Sequence, residues 1–259
     1  MESSIREFFD EALKILDEAQ KNSIVLRLMG AVAIAIHCPQ FRYLQEKMKR
    51  QLTDLDFMTY SKYRGYLKPF FNNLGYFTDP KVDTLYGYKR KIYRNKATGR
   101  VADVFFDELE MSHTVDFRGR LELDFPTITL TDLLLEKMQI VKINEKDVKD
   151  TIVLLREHQI GKVEKETVNR EYVADILSKD WGFYYTVTQN LKKVREMAGN
   201  CGELSKNDVE DVQTKVDRLL SLIENHPKSL RWKIRARVGN RKIWYNEVEE
   251  AGREEIRIG

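Results

Sequence analysis

The run from Ser23 to His37, "SIVLRLMGAVAIAIH", constrains this chain more than any other stretch. Its first half is β-branched and leucine-rich and stops at Gly30, and its second half is a compact apolar segment compatible with a buried helix. The reading is strand, glycine turn, helix. Such a segment needs a core around it. The 259 residues, 42% hydrophobic and 33% charged, can bury one and are long enough for two modest domains. No run approaches the roughly 18 consecutive apolar residues of a membrane span. The N-terminus "MESSIREFFDEALK" is acidic and amphipathic where a leader would be basic and then apolar. The expectation is a cytoplasmic protein without a membrane partner. Cys38 and Cys201 lie far apart in no metal-ligand spacing and read as free thiols.

Along the chain, "SSIREFFDEALKILDEAQ" has helical periodicity behind two serines suited to an N-cap. "LDFMTY" reads as a second strand, "SKYRGYLKPFFNNLGYF" as a helix interrupted near Pro69, and "TLYGYKRKIYRN" with "GRVADVFFD" as a hairpin around "KATG". "RLELDFPTITLT" reads as a further strand, after which the periodicity is helical through "SLIENH". The expected class is therefore α+β: a mixed β-sheet with flanking helices over residues 1–130, then an α-helical domain over residues 131–259.

The stretch "RQLTDLDFMTY" places Asp54 and Asp56 at the mouth of an apolar run. Alternate side chains of a strand share a face, so the two carboxylates point together with Cα atoms about 6.5 Å apart. Like charges repel unless a cation lies between them, and Mg²⁺ takes a few carboxylate oxygens while leaving sites that a nucleoside triphosphate completes. A third carboxylate, Asp103 in "GRVADVFFD", sits in another apolar run. The same spacing at Glu122 and Asp124 in "LELDF" shows that the pair alone is equally a solvent-facing strand end. The setting raises the first pair, since Gly30 ahead of it permits close backbone approach to a ligand at a helix N-terminus.

The succession of Gly30 with "AVAIAIH", then "RQLTDLDF", then "VADVF" resembles the nucleotidyltransferase superfamily, in particular its AbiEii-like branch of abortive-infection and type IV toxin–antitoxin systems. The resemblance spans about Ile24 to Leu155. It implies a nucleotidyltransferase-like domain in which Gly30 and the N–H of Ala31 hold a triphosphate, and Asp54, Asp56 and Asp103 bind two Mg²⁺. Arg50 matches a basic residue common in that pattern, and Lys137 matches a lysine in the first helix after the sheet, with Asp147 and Asp150 following. For those last two a surface pair beside Lys146 and Lys149 is an equally good reading. The branch usually has glycine or serine where this chain has Ala31, which offers no hydroxyl, and often a serine or threonine where it has Leu52.

The implied reaction is two-metal transfer of a nucleoside monophosphate from an NTP to a hydroxyl, with Asp103 as general base and Lys137 and Arg50 meeting phosphate charge. Three classes stay open: an enzyme acting on RNA such as tRNA, in the style of a toxin paired with an antitoxin protein; a small-molecule enzyme of the aminoglycoside type; and a non-catalytic nucleotide- or nucleic-acid-binding relative. The segment "KSLRWKIRARVGNRK", with seven basic residues and no acidic one, tips the acceptor towards RNA, against the alternative of a solvated helix face. His37 reads as a helix-terminal histidine, and Trp181, Phe183, Tyr184 and Tyr185 as core packing.

Overall fold

A computed structural model describes residues 2–78 and 88–247. Strand β1 (Leu26–Met29) ends where helix α2 (Gly30–His37) begins, as the run of apolar residues predicts. It follows α1 (Glu2–Lys21), which starts early enough to place Ser3 and Ser4 inside the helix instead of at its cap. The short α3 (Tyr43–Lys47) leads to β2 (Leu55–Thr59), then α4 (Arg64–Asn73), β3 (Tyr76–Thr78), β4 (Arg90–Asn95) and β5 (Val101–Phe106). The five strands form one sheet in the order β1-β2-β5-β4-β3. The β2–β5 pair is parallel and the other pairs are antiparallel, so the sheet is mixed.

Beyond it, β6 (Glu108–Glu110) and β7 (Thr114–Asp116) make a small hairpin. Helices α5 (Leu130–Met138) and α6 (Glu145–Glu157) follow, then the short parallel pair β8 (Gln159–Gly161) and β9 (Thr167–Asn169). The chain closes with α7 (Arg170–Lys179), α8 (Trp181–Asn200), α9 (Lys206–Asn225) and α10 (Leu230–Val238). The α+β class with a helical C-terminal region stands as expected, but the β8–β9 pair breaks the run that periodicity reads as helical throughout.

Three local expectations are corrected. Pro69 lies within α4 without interrupting it, and after a turn at Gly75 the residues Tyr76 and Phe77, expected as helix, open β3, paired with β4. The run from Arg120 to Thr131 forms no strand: its alternation mimics one, but Pro126 has no N–H to donate. Among the described residues one bridge forms there, with Leu28 N–H donating to the Pro126 carbonyl and Ile128 N–H to that of Leu28. The hairpin around "KATG" is present as β4 and β5, while the portion of its first arm from Thr84 to Gly87 lies outside the described residues.

Helix α2 is apolar on every side because it is enclosed. Val32, Ala33, Ile34 and Ala35 are buried, and the helix packs on β1, β2, α5 and α6. Under the sheet, Phe71 stacks on Tyr93 at a centroid distance of 4.1 Å and meets Phe57 and Tyr76 edge-on. The helices start on side-chain caps: Thr129, Asn144 and Ser205 each accept a backbone N–H three residues on, from Asp132, Asp147 and Asp208. Trp181 and Phe183 are buried in the helical region, as the core-packing reading expects, while Tyr184 and Tyr185 are only half-buried.

Two histidines are buried where protonation is costly. His37 closes α2 against Thr127 Oγ1, and His113 stacks on Phe183 with Nε2 2.8 Å from Thr186 Oγ1. Burial pushes both imidazoles down from about 6.5 to about 4. The folded state thus binds fewer protons than the unfolded chain between these values, so stability is present above about 6.5 and is lost as pH falls towards about 4. Buried carboxyls raised by the fold, Glu136 among them, gain stability over the same range, so the histidine effect is read as a difference: between pH 7 and pH 5 the unaltered protein should lose urea midpoint relative to His113→Gln, which keeps a group able to reach Thr186. An equal drop in both proteins would remove His113 from the account.

Candidate active site

The register of the sheet builds the site. Asp56 on β2 pairs with Met29 on one side and with Asp103 on the other, so a single row across three strands carries two carboxylates on one face. Neighbouring strands lie about 4.8 Å apart, which leaves these side chains little room to avoid each other. Asp54 comes two residues earlier, just ahead of β2, and its side chain takes a hydrogen bond from Thr53 Oγ1 at 2.9 Å. Burial first, then the charges of Asp54, Asp103 and Glu136, push the Asp56 carboxyl well above the usual carboxylate range, with Lys137 opposing. The register thus sets Asp56 and Asp103 side by side, with Asp54 close enough for its charge to bear on Asp56.

Gly30 abuts this row. Its φ is +72°, and a Cβ there would fall 2.5 Å from Asp56 Oδ2 and 3.3 Å from the Asp56 Cβ. Glycine is required twice over, by the left-handed backbone and by the close approach. Helix α2 has no side-chain cap of its own. The Gly30 N–H instead donates to Glu136 Oε2 at 3.1 Å. Glu136 was missed in the sequence, where "LLLEKM" looks like ordinary helix composition. It is buried, and burial pushes its carboxyl up to about 7 against the lowering influence of Lys137 and the Gly30 N–H.

The two predicted cations meet at a different carboxylate. Arg50 binds Asp150 through both ends of its fork, Nε to Oδ1 at 3.0 Å and Nη2 to Oδ2 at 2.9 Å. Lys137 Nζ lies 2.9 Å from Asp147 Oδ1, 3.4 Å from Asp150 Oδ2 and 3.8 Å from Glu136 Oε1. Burial alone would lower the lysine's pKa, but Asp150, Asp147 and Glu136 more than offset it and hold the ammonium above its ordinary value. Asp150 is fully buried, which overturns the reading of Asp147 and Asp150 as a surface pair. Lys137 links that buried network to the acidic row through its neighbour Glu136.

Carboxylate oxygens are the donors a hard divalent cation takes, and the charges of Asp54 and Asp103 both bear on the buried Asp56. Their arrangement is not closed. Among the described residues no group of three or more His, Cys, Asp or Glu is set to hold a metal ion as the side chains stand. Asp103 is engaged instead by Arg90, whose Nη2 lies 3.2 Å from Oδ2. The equally spaced Glu122 and Asp124 have other partners: Glu122 accepts from the Tyr60 hydroxyl, and Asp124 lies 3.6 Å from His37 Nε2.

A cavity of about 810 Å³ lies elsewhere, between the start of α8, α10 and the segment to Asn246, and none of the acidic-row residues line it. Helix α10 buries none of its residues, leaving Arg231, Lys233 and Arg237 exposed. No described helix is long and apolar enough to cross a membrane.

The fold and this row define a mixed α+β protein with paired strand carboxylates at a glycine turn. No protein-family profile matches the chain, and comparison with curated proteins gives no match. Among solved structures, the solution structure of the antibiotic-resistance factor ANT(2'')-Ia is similar at a TM-score of 0.38 and 13% identity, over 84% of this chain and 95% of that one.

Proposed function

We propose that this chain is a nucleotidyltransferase that moves a nucleoside monophosphate from an NTP to a hydroxyl acceptor. The observation that carries the reading is the Asp56–Asp103 row with Asp54 beside it and Gly30 pressed against it. Asp54, Asp56 and Asp103 would hold Mg²⁺, which supplies positive charge for the triphosphate and acidifies a nearby hydroxyl. The protein's own groups do the rest. The Gly30 N–H is taken by Glu136, which fixes the turn, so backbone donation to phosphate at the α2 N-terminus would fall to Ala31 and the residues after it. Lys137 and Arg50 share Asp150 in the structure, and their part would be to hold that carboxylate and, through Lys137, Glu136 in place beside the turn.

For the acceptor we favour RNA, because the basic residues exposed along α10 suit a polyanion. A toxin role with a separate antitoxin protein, and tRNA as the RNA, rest on the resemblance to the AbiEii-like branch. The test is transfer of label from each α-labelled NTP, with Mg²⁺ and with or without total tRNA, beside an Asp54→Asn/Asp56→Asn protein. Label should reach RNA with the unaltered protein and fall on the order of 10³-fold in the variant, the scale of lost electrostatic stabilisation. Equal transfer by the variant, or no labelled acceptor at all, would end the enzyme reading.

A further inference from the structure

Arg90 opens β4 opposite Phe105, and Asp103 lies diagonally across on β5, whose register partner is Ile92. Diagonal neighbours on one face of an antiparallel pair are within reach of a long side chain. The guanidinium accordingly reaches Asp103 Oδ2 at 3.2 Å and lies 5.7 Å from the centroid of the Phe105 ring. The pair is well shielded, with side-chain exposures of 22% for Arg90 and 7% for Asp103. A guanidinium stays charged at any ordinary pH, so it is a permanent counter-ion within an otherwise acidic row. A divalent cation on Asp103 would face that charge across a few ångströms of poorly screened space.

We propose that Arg90 competes with a divalent cation for Asp103, so that displacement of Arg90 is what completes the acidic row. This rests on the cation-binding part of the proposed function. It goes beyond that part by giving the chain's own side chain control over which carboxylates are available. The arginine would set the affinity and number of ions held, while leaving Asp54 and Asp56 unchanged.

The test measures Mn²⁺ binding to the full chain without nucleotide, from the electron paramagnetic resonance of the free ion. Arg90→Gln should bind Mn²⁺ roughly 10- to 100-fold more tightly than the unaltered protein, the worth of one shielded charge-assisted hydrogen bond. Arg90→Lys, which keeps the charge, should stay near the unaltered protein, and the gain should vanish in Arg90→Gln/Asp103→Asn. Unchanged or weaker binding by Arg90→Gln would overturn the competition, as would a gain that survives loss of the Asp103 charge. If neither the unaltered protein nor Arg90→Gln binds Mn²⁺ at millimolar concentration, the proposed function fails with it. Binding by the unaltered protein without a gain defeats the competition alone. A second measurement covers a variant that does not fold: the Arg90 Nε resonance of unaltered, arginine-labelled protein should shift as Mg²⁺ is added, and a resonance that does not move overturns the proposal.

Discussion

Gly30→Ala should lose about 1–3 kcal/mol of stability and at least ~100-fold in nucleotidyl transfer. The first loss has two sources. An L-residue at a φ of +72° adopts a left-handed conformation that costs roughly 1 kcal/mol or more. The new methyl would also stand 2.5 Å from Asp56 Oδ2, so either the carboxylate or the turn must move. Neither has an easy retreat, because Met29 pairs with Asp56 immediately before Gly30 and Glu136 holds the Gly30 N–H from the other side. The loss of transfer follows from displacement, since an error of about 1 Å in a catalytic group is worth about 100-fold. Ala31→Gly is the companion, as it leaves the close approach untouched and should retain most of the transfer. Thermal unfolding and the labelled-NTP assay on both proteins decide it, and a Gly30→Ala protein that transfers normally would separate the turn from the chemistry.

That turn was legible in the sequence because its physics is local. An apolar strand stopping at glycine and resuming as an apolar helix has few other solutions, whereas the strand alternation read for Asp54 and Asp56 holds only in part, since β2 begins at Leu55 and leaves Asp54 just ahead of it. What the sequence could not show depends on which strands and helices meet. Arg90 reaches Asp103 only because β4 lies beside β5 in one register, and in "KRKIYRN" it looks like one basic residue among several. Glu136 becomes a partner of Gly30 only when α5 packs on α2, across more than a hundred residues of chain. The opposite error arose at "RLELDFPTITLT", where periodicity argued for a strand but Pro126 and the lack of a pairing partner beyond Leu28 left a bridge. Periodicity reports which face is apolar; it does not report what lies opposite.

Asp150 is the residue whose loss should cost stability most. Its carboxylate, fully buried, accepts from Gln45 Nε2 at 3.0 Å and from Arg50 at 3.0 and 2.9 Å, and lies 3.4 Å from Lys137 Nζ. Two cations therefore share it in a place with little water. Asp150→Leu would strand the Arg50 guanidinium, whose side chain is only 7% exposed, at an expected cost of about 3–5 kcal/mol. With a urea dependence of roughly 1–3 kcal/mol per molar, the midpoint should fall by about 1–3 M. Asp147→Asn should cost far less, because Asp147 is more exposed and Lys137 keeps Asp150 and Glu136 as neighbours. The decisive comparison is Asp150→Leu with Arg50→Met/Asp150→Leu. If the penalty is a stranded charge, removing the charge as well must recover part of it, and the double variant should be the more stable of the two. Should the double variant be the weaker, Arg50 would be stabilising the fold through its packed stem, and the ion pair would be incidental to it.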